Sequence, residues 1–78
     1  GSGYGEDAVR TLLDYIFTST DLGKVYLHTL AWNGRARRSF AKAGFMEILE
    51  VRRNSKDFIR MEVLRADWAE ARRLQQLQ

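Results

Sequence analysis

The 78-residue sequence predicts a single α/β domain of the α+β kind, in the order loop, helix, strand, helix, strand, strand, helix. Three observations point there. Apolar residues recur at helical spacing in three segments, and strand-like apolar runs lie between them. No proline, internal repeat or linker-like stretch divides the chain. Hydrophobic residues make up 45% of it, with two Trp, three Tyr and four Phe, which is a globular composition. A chain of this size buries only about 60% of the surface its unfolded form exposes, so the core must be small.

The opening residues Gly1, Ser2, Gly3, Tyr4 and Gly5 lack periodicity and read as a loop that tolerates unusual backbone angles. A helix over residues 6–17 follows, with Val9, Leu12, Leu13, Ile16 and Phe17 on one face; Glu6 and Asp7 oppose the positive end of its dipole. Residues 18–23 form its exit. Residues 24–31 (KVYLHTLA) are apolar on both faces, as expected of a strand covered on two sides in a sheet interior. Asn33 is a good N-cap for a short helix over residues 34–43, whose stripe is Ala36, Phe40 and Ala43, and Gly44 suits a left-handed C-cap.

Residues 45–53 and 58–64 are strand-like and flank Asn54, Ser55, Lys56 and Asp57, turn formers that suit a hairpin loop of four residues. Asp67, three residues before Glu70, suggests a capping box ahead of a last helix over residues 68–77 that frays beyond Leu74. A three-stranded sheet leaves an edge open, and the free side of the 24–31 strand is the expected one.

Composition excludes several functions. With no cysteine there is neither a disulfide nor a thiolate metal site, and His28 alone cannot supply a ligand set. No apolar run approaches the roughly 20 residues of a membrane span, and no secretory leader pattern opens the chain, so the reading is cytoplasmic. The net charge is +3, gathered in Arg35, Arg37, Arg38 and Lys42 and again in Arg52, Arg53 and Lys56. Such clusters can meet phosphates of nucleic acid, nucleotide or coenzyme, or can simply be a solvated face. Nucleic acid is the weaker partner, because stacking platforms and a recognised nucleic-acid motif are missing.

Two features carry chemistry. Glycines running straight into a helix leave backbone N–H groups pointing outward, where the dipole favours negative charge and a pyrophosphate can approach closely. The second feature is the run from Asn33 through Phe40 and Lys42 to Gly44 and Phe45, directly after an apolar strand.

Together, G-x-G-Y-G and, about 30 residues on, N-x-x-A-x-x-x-(aromatic)-x-K-x-G-F resemble the GNAT N-acetyltransferases, especially the Rim-type enzymes that acetylate protein N-termini. The resemblance extends from Gly1 to about Trp68. It implies a partial GNAT fold in which the second hairpin strand lies between the other two, giving a mixed sheet with a right-handed crossover. It also implies that the chain is the C-terminal, acetyl-CoA-binding part of such a domain, starting inside the pyrophosphate loop, without the family's N-terminal strands and helices.

By the same resemblance the backbone of Gly1, Ser2, Gly3, Tyr4 and Gly5 cradles the pyrophosphate of acetyl-CoA, and Asn33 hydrogen-bonds the pantetheine arm. Phe40 stands where many members place a tyrosine that protonates the departing thiolate. Phenylalanine cannot donate a proton, which leaves water, Ser39 or a packing role for Phe40. No catalytic base is named and no metal is implied. The implied reaction is acetyl transfer to an amine, a protein N-terminus among the candidates, with the chain alone binding coenzyme A weakly or not at all. Two alternatives stand beside it: a non-enzymatic basic module for nucleic acid, and a structural fragment that folds by oligomerising. His28 reads as a buried, hydrogen-bonded residue, and Trp32 and Trp68 as core or interface anchors. The open edge of the 24–31 strand implies a homo-oligomer.

Overall fold

A computed structural model of the chain describes residues 5–77. Helix α1 (Glu6–Ser19) is followed by strand β1 (Lys24–Leu30), helix α2 (Gly34–Lys42), strands β2 (Met46–Arg53) and β3 (Lys56–Leu64), and helix α3 (Arg65–Gln76). The sheet order is β1-β3-β2. The expected placement of the last strand between the other two is therefore what the structure has. The mixed sheet is not: β3 pairs antiparallel with both neighbours. The hairpin reverses the chain between β2 and β3, and β1 and β2, which run the same way, never touch as a ladder.

One face of the sheet carries the core. Ile59, Met61 and Val63 alternate along β3 and are buried with Val9, Leu13 and Phe17 of α1, and with Ala43 and Phe45 from the end of α2. Val25 and Leu27 of β1, Phe40 of α2 and Trp68 of α3 pack around this cluster, so all three helices meet the same face. The other face presents Tyr26, His28, Phe58, Arg60 and Met46, which the two-residue period of the strands turns away from the helices. Strand β1 was expected to be covered on both faces with its free side as the open edge of the sheet; it is the edge strand, but one of its faces is open, and Tyr26 is 54% exposed.

Both short-helix signals act as read. Asn33 caps α2 by accepting the Ala36 N–H at 3.1 Å through Oδ1. At the other end Gly44 has φ of 114°, its N–H reaches the Ala41 carbonyl, and the Phe45 N–H reaches the Phe40 carbonyl, both at 3.0 Å. This double bond pattern ends a helix through a left-handed glycine, and it brings the Phe40 and Phe45 rings edge to face at 5.7 Å.

Two boundaries differ from expectation. The hairpin loop has two residues rather than four, because Asn54 and Ser55 both take positive φ (50° and 63°) and Arg53 pairs directly with Lys56. A serine held there is strained relative to glycine. Ser55→Gly should therefore stabilise the chain by about 0.5–1 kcal/mol in urea denaturation. Helix α3 begins at Arg65, with Leu64 in the N-cap position and no side-chain cap, and it runs to Gln76. The expected capping box does not form, since the Glu70 carboxylate is held by Arg73 at 2.7 Å.

Arg65 explains the early start of α3. Its guanidinium donates to the carbonyls of Phe17 (2.8 Å), Thr20 (2.6 Å) and Leu22 (2.7 Å), and lies 5.1 Å from the centre of the Phe17 ring. Those are the orphan carbonyls of the end of α1 and its exit loop. Trp68, one turn later, stacks on Phe17 with ring centres 5.1 Å apart and donates its indole N–H to Asp14 at 2.8 Å. Trp68 is thus the core anchor the sequence suggested.

Candidate functional site

Two helix mouths define the candidate site. Helix α1 opens at Gly5, whose φ of −65° and ψ of 158° are ordinary extended values, and no side chain caps it. A Cβ placed on Gly5 would meet nothing within 4 Å, so neither backbone strain nor a described neighbour requires glycine there. Helix α2 opens at Asn33, where the cap bond uses Oδ1. Gly1, Ser2, Gly3 and Tyr4 lie outside the described residues.

Topology sets these two mouths at one end of the sheet. Arg65 ties the end of α1 to the level of Leu64, which pairs with Lys24 at the start of β1. From there α1 runs back along the sheet for about 21 Å, and β1 runs the same way for about 23 Å. The start of α1 and the end of β1, from which Asn33 launches α2, therefore lie at similar heights. The hydrogen bond from Arg10 Nη2 to the Lys42 carbonyl at 2.8 Å joins the two helices, which both run down from that end. The outer edge of β1 is covered by no described strand.

The basic run divides into different jobs. Arg37 is a structural residue: it holds Glu47 through two bonds (2.8 and 2.9 Å) and donates to the Ala31 carbonyl at 2.8 Å. The hydrogen bond from Arg37 holds the Glu47 carboxyl below its ordinary value of 4.5. A lowered folded value means the pair contributes its stability above the unfolded pKa and loses it as pH falls through the folded one. The stability gap between the chain and a Glu47→Gln variant should accordingly be present at pH ~7 and shrink as the pH drops below ~4.5, read from urea midpoints. Arg35 and Arg38 remain exposed at the start of α2, where the first turn has no acidic residue. Arg38 folds back over that turn, since a Cβ on Gly34 would come within 3.1 Å of its Nη1.

Phe40 is half-buried and packs against the core as the partner of Phe45 in the helix ending. Trp32 is not a core anchor: it is 77% exposed, because the chain turns away from the sheet between β1 and α2. Nor is His28 buried: it is exposed on the open sheet face, edge-on to Tyr26 at 5.9 Å, because β1 has no covering layer on that side. On the same face the Arg60 guanidinium lies 3.8 Å from the centre of the Tyr26 ring and bonds Glu62 at 2.8 Å. That bond, with Lys24 nearby, holds the Glu62 carboxyl below its usual range.

Sequence reading missed two arginines that set the site's frame, Arg10 and Arg65. Both bond main-chain carbonyls distant in sequence, a target with no side-chain signature. Among the described residues no group of three or more His, Cys, Asp or Glu could hold a metal ion, and no helix is long and apolar enough to cross a membrane.

Comparison with known proteins gives the arrangement its context. No family model matches the chain. Over 47 residues it is 36% identical to the spermidine N(1)-acetyltransferase of Vibrio cholerae serotype O1, a stretch equal to 60% of this chain and 27% of that protein. A solved chimera of the V. cholerae spermidine N-acetyltransferase SpeG and hSSAT superposes with a TM-score of 0.79 and 29% identity, over 88% of this chain and 46% of its own. The aminoglycoside acetyltransferase AAC(6')-Ib, solved with coenzyme A and kanamycin, gives 0.82 and 28%, over 92% of this chain and 42% of its own. The chain thus spans about a quarter of the curated relative and less than half of either solved structure. Its sequence and structural neighbours are GNAT-type acetyltransferases, and its described residues carry part of the GNAT fold.

Proposed function

We propose that the chain is the C-terminal, acetyl-CoA-binding part of a GNAT-type N-acetyltransferase domain that transfers an acetyl group to an amine. The observation that carries this reading is the pair of helix mouths, at Gly5 and Asn33, opening at one end of the sheet beside the uncovered edge of β1. Main-chain N–H groups at a helix start, with the dipole behind them, favour a pyrophosphate. Gly1, Ser2, Gly3, Tyr4 and Gly5 supply that backbone in this reading. Asn33 holds the pantetheine arm while its Oδ1 keeps the cap, and Phe40 packs beside the thioester end. The neighbours solved with coenzyme A or acetyl-CoA support the cosubstrate.

In the family mechanism the amine attacks the thioester carbonyl, an N–C bond forms, the C–S bond breaks, and the amine's proton leaves to a base as the thiolate takes one up. Phe40 cannot supply that second proton. The acceptor is an amine, and the named neighbours, which act on spermidine and aminoglycosides, make small polycationic amines the first class to assay. A protein N-terminus, the Rim-type acceptor, is the second. The same reading expects a cytoplasmic protein whose copies associate through the free edge of β1.

The test is a titration with acetyl-CoA followed by amide NMR. Gly5, Glu6 and Asn33 should move first and furthest. Gly5→Ala has room for its methyl group and an ordinary φ. It should lower the folding stability by less than about 1 kcal/mol. It should nevertheless weaken acetyl-CoA roughly tenfold by crowding the mouth of α1. Shifts confined to Arg35, Arg38 and Lys42, matched by nucleic acid at low salt, would instead mark a basic binding module.

A further inference from the structure

The mouth of α1 faces two opposing demands. Glu6 and Asp7 stand in its first turn, where side chains tilt toward the helix N-terminus and a carboxylate suits the positive end of the dipole. A pyrophosphate seeks that same end. A Glu6 carboxylate left over the opening therefore competes with the phosphates for the main-chain N–H groups and repels them.

The fold turns that carboxylate away. Arg10, one turn further on, holds Glu6 Oε2 at 2.8 Å through Nη2, and the same nitrogen donates to the Lys42 carbonyl at 2.8 Å. The second bond has its own cause. The glycine ending of α2 supplies main-chain donors to the carbonyls of Ser39, Phe40 and Ala41, and Arg10 supplies one to Lys42. A cation there also suits the negative end of the α2 dipole. Lys42 closes a helix of nine residues, so it lies about 13 Å below the mouth of α2. A carboxylate held by the group that reaches the Lys42 carbonyl lies down the flank of α1, not over its opening. With side chains 43% and 36% exposed, the Arg10 and Glu6 pair contributes little stability as a surface ion pair. The anchor on Lys42 gives it a different use, because it fixes where the carboxylate rests.

We propose that Arg10 is a positioning residue for coenzyme binding: anchored on the end of α2, it draws the Glu6 carboxylate off the mouth of α1 and leaves the main-chain N–H groups there to the pyrophosphate. Arg10 acts through Glu6 and not by touching the coenzyme. The role rests on the coenzyme reading above.

Calorimetric titration of acetyl-CoA at low ionic strength into four chains tests it: the parent, Arg10→Ala, Glu6→Gln and the double variant. Arg10→Ala should weaken binding about fivefold, the effect of one carboxylate about 8 Å from two phosphate charges in water. Glu6→Gln should bind at least as tightly as the parent. The double variant should match Glu6→Gln within about twofold, although it lacks the bond to Lys42 as fully as Arg10→Ala does. In 1 M salt, where the Debye length is about 3 Å, the loss in Arg10→Ala should shrink below about twofold. Far-UV circular dichroism should be the same for all four. A double variant as weak as Arg10→Ala overturns the role, because Arg10 would then act by contact with the coenzyme or by setting the two helices. Equal affinities of the parent and Arg10→Ala overturn it as well. Both results leave the coenzyme reading standing, whereas a parent chain that binds no acetyl-CoA overturns the reading and the role together.

Discussion

Met61→Ala should cost about 3 kcal/mol of folding stability, read as a fall in urea midpoint at unchanged slope. Met61 sits at the middle of β3, the central strand, and is 0% exposed. Its side chain is enclosed by the cluster of Val9, Leu13, Phe17, Ala43, Phe45, Ile59 and Val63. Truncation removes apolar contact and leaves a void bounded by a strand and by helix side chains that cannot all collapse into it. A chain of 78 residues has a total stability of roughly 4–12 kcal/mol, so this one change consumes a large share of it. Met61→Leu keeps the volume and should lose less than about 1.5 kcal/mol. A loss that small for alanine would mean that the core is not centred on β3.

Arg65→Ala should be nearly as damaging, at about 2–3 kcal/mol, although Arg65 is no core residue. It strips three carbonyls of their donor at the end of α1 and in its exit loop, and removes the cation resting on Phe17. Part of the linkage is main-chain and survives, since the Arg65 N–H donates to the Gly23 carbonyl at 2.8 Å. Arg65→Lys should recover only a minor part, because a single ammonium cannot present the planar fork that reaches three carbonyls at once. Hydrogen exchange provides a second reading: amides in the last turn of α1 and the first turn of α3 should lose protection together. If only the α3 amides respond, Arg65 is not what joins the two helices.

Much of the local structure was legible. The helical spacing of Val9, Leu12, Leu13, Ile16 and Phe17 marked the inner face of α1, of which Val9, Leu13 and Phe17 are buried while Leu12, at its margin, is 56% exposed. Asn33 and Gly44 marked both ends of α2, because capping needs one side chain or one left-handed glycine and nothing from elsewhere. The hairpin was legible as a hairpin and misjudged in length. Two consecutive left-handed residues are rare without glycine, and here the pairing of β2 with β3 imposes that conformation on Asn54 and Ser55. The last helix was entered too late, since its start depends on Arg65 reaching a segment more than 40 residues away.

The candidate site divides the same way. Gly5 and Asn33 could be singled out because helix mouths have a local chemical signature, whereas their placement at one end of the sheet required α1 to fold back along β1. The run Arg35, Arg37, Arg38 and Lys42 looked uniform in one dimension. In three, Arg37 is spent on Glu47 and the Ala31 carbonyl, while Arg35 and Arg38 stay at the surface.

By itself, then, the amino-acid order determined which segments are helix or strand, where the short helix starts and stops, and which apolar stripes seek cover. Only the tertiary structure decided that one face of β1 stays open, that His28 and Trp32 face outward, and that both ladders among the described residues are antiparallel. The reason is physical: periodicity and capping act over a few neighbouring residues, whereas what covers a strand's second face or free edge depends on groups brought together from distant parts of the chain.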